Sequence, residues 1–137
     1  MSVQHVRDAM VPEPGALPAA ATAREAGERL SDPAVRAVLV CDDGGRLVGV
    51  ITRKTLVRGV VATGRDPQQT RVADIAEPPI FTLDAGLSLD DAFRALEEHD
   101  LERVPVVEAG RLVGVLSRSV LQRRLAEDEP PADQQQV

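Results

Sequence analysis

A chain of 137 residues suffices for one compact domain, or for two very small lobes sharing a core, and is too short for two independent domains. Sixteen basic residues stand against 22 acidic ones, a net charge of −6, and two Phe with no Trp or Tyr supply no stacking platform, so nucleic-acid binding is not expected. One cysteine, Cys41, permits no internal disulfide and no metal-ligand cluster; no signal peptide opens the chain and no apolar run approaches the roughly 18 residues of a membrane span, so a cytoplasmic protein is expected.

In chain order, Ala16-Leu17, flanked by Pro14 and Pro18, is a weak first strand. Thr22-Ala23-Arg24-Glu25 places a hydroxyl cap with an acid three residues on, a helix start. Val38–Cys41 is a short apolar strand, the Asp42-Asp43-Gly44-Gly45 turn follows, and Leu47–Ile51 returns as its hairpin partner. A second helix opens at the cap Thr52 and stops near Thr63-Gly64, where glycine suits a left-handed position. Residues 65–71 form a polar linker.

The same order then recurs. Ile80-Phe81-Thr82-Leu83 is a strand, because the prolines before it bar a helix. Ser88 caps a helix whose Leu89, Ala92, Phe93 and Leu96 share one face. Val104–Val107 and Leu112–Leu116 make a hairpin, and Ser117 opens the last helix. Residues 127–137 have no apolar face and are expected to be disordered.

An offset of 66 aligns Val6 with Val72, Asp8 with Asp74, Leu30 with Leu96 and Val38 with Val104. After one residue is dropped in the hairpin turn, Arg46-Leu47-Val48-Gly49-Val50 reappears as Arg111-Leu112-Val113-Gly114-Val115. The chain is therefore a strand–helix–strand–strand–helix unit used twice, an α/β (α+β) fold with repeats at 3–64 and 72–126. Their sheets are expected to pack together about a pseudo-twofold axis, since a unit of about 60 residues buries too little surface alone.

The endings Gly49-Val50-Ile51-Thr52 and Gly114-Val115-Leu116-Ser117, with the Arg103–Val107 run, resemble the CBS domain, and two in tandem resemble a stand-alone Bateman module. The resemblance implies a regulatory module that binds AMP, ADP, ATP or S-adenosylmethionine in clefts between the repeats and dimerises through its helices. It implies no catalysis and no required cofactor. The family carries an Asp three residues after the Thr or Ser, where it takes the ribose hydroxyls. Thr55 and Val120 stand there in this chain. Thr offers one rotatable hydroxyl and Val offers nothing, so the first site is expected to bind weakly and the second to have lost nucleoside recognition.

Thr52 and Ser117 each open a helix whose free N–H groups suit a phosphate, or else they only cap it. Arg53, Lys54 and Arg118 lie at helix starts, where the dipole disfavours cations; a nearby anion or a solvated face accounts for them. Val38, Val104 and Val106 are candidate aliphatic walls for an adenine ring, Thr82 and Ala16 hold matching cleft positions, and Arg103 points either into the cleft or to Glu102 or Glu108. His5 and His99 lack partners at metal-ligand spacing. Surplus apolar residues on the last helix (Val120, Leu121, Leu125) and on the first repeat's second helix (Leu56, Val57, Val60, Val61) predict a homodimer. The alternative is a ligand-free scaffold acting by dimerisation and protein–protein interaction.

Overall fold

The hydroxyl caps form where the sequence places them. The computed structural model describes residues 4–12, 15–79 and 81–127. It is a mixed α+β structure with two sheets, and the described residues divide into two units: 15–79 with 110–112, here the first unit, and 4–12, 81–109 and 113–127, the second.

In the first unit, β2 (Leu17–Pro18) runs parallel to β3 (Val38–Cys41), which pairs antiparallel with β4 (Leu47–Ile51) in the register Val38 to Ile51. Helix α2 (Ala23–Leu30) begins in a full capping box: Glu25 N–H donates to Thr22 Oγ1 at 3.2 Å, and Thr22 N–H to Glu25 Oε2 at 3.0 Å. Its Ala26 and Leu30 meet Val38, Val40 and Ile51 in one core. Helix α3 (Arg53–Leu56) continues as a π-helical turn, Val57–Val61, closed by Ala62 N–H donating to Val57 O at 2.8 Å. Gly64, at φ 72°, takes the left-handed position.

The second unit holds a sheet in the order β1 (Val11–Pro12), β7 (Arg111–Ser117, from Val113 on in this unit), β6 (Arg103–Glu108), β5 (Leu83–Asp84). Ala109 and Gly110, at φ 53° and 81°, form the tight hairpin turn between β6 and β7, which is why this turn is shorter than the Asp42–Gly45 one. Helices α5 (Leu89–Glu98) and α6 (Arg118–Glu127) cover a core of Leu89, Ala92, Leu96, Val104, Val106, Leu116 and Leu121. The strand expected over 80–83 is shorter and later: only Leu83 and Asp84 pair with β6. Ile80 lies outside the described residues, as does the tail from 128 onward; Glu127, expected in that tail, closes α6.

Two four-residue helices were not foreseen, α1 (Val6–Ala9) and α4 (Val72–Ile75), and each belongs to the unit of the other repeat. In the second unit, Val6 N–H donates to Leu87 O at 2.8 Å and Arg7 N–H to Ala85 O at 3.0 Å. In the first, Val72 N–H donates to Ala21 O at 2.8 Å and Ala73 N–H to Ala19 O at 3.2 Å. Val6 and Val72 are wholly buried. The segment after each helix crosses a repeated glycine: a Cβ at Gly49 would lie 2.6 Å from Ala76 Cβ, and one at Gly114 would lie 2.7 Å from Val11 O. Those crossings explain why both copies of the Arg-Leu-Val-Gly-Val motif carry glycine there.

Candidate functional site

In the first unit the end of β4 delivers Thr52 to the start of α3. Thr55 N–H donates to Thr52 Oγ1 at 3.2 Å, and Thr52 N–H donates to Thr55 Oγ1 at 3.0 Å, a reciprocal box built from two threonines. The two hydroxyl oxygens are 3.0 Å apart, and Thr55 Oγ1 donates onward to Glu77 Oε1 at 3.4 Å. Thr55 is buried, so its hydroxyl belongs to this polar chain. Glu77 arrives through a bridge in which Val50 N–H donates to Glu77 O at 2.8 Å. Thr55 and Glu77 line a cavity of about 220 Å³ together with Arg58, Arg65 and Asp74. Gly59 brings the π-helical turn onto this cavity: a Cβ there would sit 3.1 Å from Ile75 Cγ2.

Arg53 is exposed and Arg118 half-buried, and each guanidinium is engaged by its own chain. The Arg53 guanidinium donates to the carbonyl of Leu30 at 2.5 Å, an acceptor that the end of α2 leaves open, and to that of Asp32 at 2.9 Å. Its counterpart Arg118 pairs with Asp100 at 3.4 Å and Glu102 at 3.2 Å. The chain itself supplies partners for both guanidiniums, backbone carbonyls for Arg53 and carboxylates for Arg118. Lys54 is exposed and has no ion-pair partner among the described residues.

Val38, Val104 and Val106 are corrected from ring walls to core: alternation along β3 and β6 turns them inward, where they are 3%, 1% and 0% exposed. Their neighbours Leu39, Pro105 and Val107 are the half-buried residues of the same strands. In the second unit, Val120 N–H donates to Ser117 Oγ at 3.3 Å, so Ser117 caps α6. Arg118 N–H donates to Glu102 O at 2.8 Å, bringing the helix start beside Arg103. Arg103 is exposed and pairs with neither expected acid, because Glu102 holds Arg118 and Glu108 holds Arg7 at 3.5 Å. Thr82 is exposed just before β5, and Ala16 is half-buried just before β2.

The sequence reading missed Glu77 and its companions Arg58, Arg65 and Asp74. The available signal was positional: Glu77 follows the Val72–Ile75 block at the spacing by which Val11 follows Val6–Ala9. The last helix is also corrected as a surplus apolar face. Leu121 is wholly buried and Leu125 packs on the same core, while Val120 stays half-buried, and Val57 and Val61, 55% and 73% exposed, are the most exposed apolar residues of that set. Cys41 is half-buried; burial, and then the neighbouring Asp42 charge, push its thiol above the ordinary range. Among the described residues, no helix is long and apolar enough to cross a membrane.

Comparison with known proteins follows this geometry. The family model for the CBS domain matches twice, at residues 6–62 and 72–127. Hypoxic response protein 1 of Mycobacterium tuberculosis is 31% identical over 106 residues, covering 77% of this chain and 74% of that one. The crystal structure of Hypoxic Response Protein I with two coordinated zinc ions superposes with a TM-score of 0.72 at 28% identity, over 88% of this chain and 98% of that one. CBSX2 in complex with AMP superposes with a TM-score of 0.71 at 26% identity, over 92% of this chain and 98% of that one.

Proposed function

This chain belongs to the CBS domain family, carrying two such domains in tandem, and from that premise we propose that it is a regulatory binding module for an adenosine-type nucleotide: AMP, ADP, ATP or S-adenosylmethionine. The observation that carries this reading is the Thr52–Thr55–Glu77 polar chain at the edge of a cavity in the first unit. The AMP complex of CBSX2 supports it. The free N–H groups at the start of α3, presented by the Thr52 cap, receive phosphate, Lys54 adds a cation that has no ion-pair partner among the described residues, and Arg53 holds the helix start in place from behind. No residue here is assigned a catalytic part.

Position 55 itself supplies no carboxylate for the ribose, so binding is weaker than in the family pattern unless a neighbouring group accepts those hydroxyls. Loss of an acceptor for a ribose hydroxyl costs about 1–3 kcal/mol, ten- to hundredfold in affinity. The repeats are taken as 3–64 and 72–126, and the working form as a homodimer that covers Val57 and Val61. A ligand-free scaffold is the second reading; it is favoured by the commitment of both Arg53 and Arg118 to structural contacts. Calorimetry with the four ligands at millimolar concentration separates the two. Heat with at least one supports the sensor, and silence with all four leaves the scaffold.

A further inference from the structure

We propose that Glu77 is the acceptor that recognises a vicinal diol in the first unit, so that this site selects ribonucleotides by a carboxylate brought from the segment after α4. The inference rests on the nucleotide reading above. Thr52 Oγ1 accepts from Thr55 N–H, which frees its own proton for Thr55 Oγ1 and directs the Thr55 proton to Glu77 Oε1. The chain of donors therefore ends on a carboxylate. One carboxylate offers about four lone-pair sites. Thr55 occupies one, and Glu77 Oε2 has no hydrogen-bond partner among the described residues. Two adjacent hydroxyls match such an acceptor, whereas a lone threonine hydroxyl has a single proton and is already engaged.

Charge on the cavity wall fits an anionic ribose ligand. Asp74 and Glu77 alone would repel a phosphate, but Arg58 and Arg65 line the same cavity. None of the four forms an ion pair among the described residues, so both signs stay available to a ligand while their sum is close to zero. The second unit supplies an internal control: Val11 occupies the place of Glu77 there, pairing with Val115 as Glu77 does with Val50.

The test titrates AMP and 2′-deoxy-AMP into the wild-type protein, Glu77→Gln, and Glu77→Gln combined with Thr55→Asp, with melting curves confirming that each is folded. The wild type is expected to prefer AMP by about tenfold. Glu77→Gln removes that preference by weakening AMP alone, and an acid placed at position 55 restores it. An unchanged AMP affinity in Glu77→Gln, or an equal loss for both ligands, overturns the role of Glu77 while the nucleotide reading stands. Silence of the wild type with AMP, ADP, ATP and S-adenosylmethionine alike overturns both.

Discussion

Thr55 and Glu77 in the first unit correspond to Val120 and Val11 in the second, and the exchange of two polar residues for two apolar ones happens on an otherwise shared backbone plan. In both units a hydroxyl caps the helix, an arginine just behind it grips the preceding loop, and a short segment crosses a glycine of the hairpin. In the first unit a cavity has Thr55 and Glu77 on its wall and a π-helical turn beside it, whereas α6 of the second unit is an α-helix over its described length. The repeated parts are therefore those that build the unit. The differing parts are those that would meet a ligand.

The largest effects test whether the two cores are equivalent. Ile51 and Leu116 sit at the same repeat position, each wholly buried. Ile51→Ala and Leu116→Ala are each expected to cost about 2–5 kcal/mol in chemical denaturation. A cost near zero for either removes that side of the correspondence. Next come the glycine crossings. Gly49→Ala and Gly114→Ala each press a Cβ against Ala76 or the Val11 carbonyl, for an expected loss of about 1–3 kcal/mol by the same measurement.

A smaller pair of changes separates structure from binding inside the first unit. Arg53→Ala strips donors from the Leu30 and Asp32 carbonyls and is expected to lower stability by about 1 kcal/mol. Lys54→Ala is expected to change stability by under about 0.5 kcal/mol while weakening nucleotide binding. The reverse pattern would exchange their roles. The smallest effect concerns Cys41: because its thiol is raised, little thiolate exists near neutral pH, so alkylation by iodoacetamide is expected to be slow at pH 7 and to accelerate as pH rises.

Much of the fold was legible because its signals are local. Thr22, Thr52, Ser88 and Ser117 cap helices by hydrogen bonds reaching three residues, and the 66-residue offset makes each half corroborate the other. The placement of α1 and α4 was not, since four residues show no helical periodicity and their backbone partners lie far along the chain, Leu87 and Ala85 for α1 and Ala21 and Ala19 for α4. Val38, Val104 and Val106 were read as a ligand surface although period-two alternation assigns them to the core with Val40. The destinations of Arg53 and Arg118 depend on contacts 16 to 23 residues away, and Glu77 reaches Thr55 only because a strand crossing brings it there. Long-range contacts of that kind leave no mark in local pattern.

The most direct measurement compares AMP affinity in Thr52→Val and Ser117→Ala by calorimetry. If the first unit holds the nucleotide, Thr52→Val weakens AMP by about tenfold and Ser117→Ala leaves it near the wild-type value. An equal loss in both variants, or a loss confined to Ser117→Ala, contradicts the assignment of binding to the first unit.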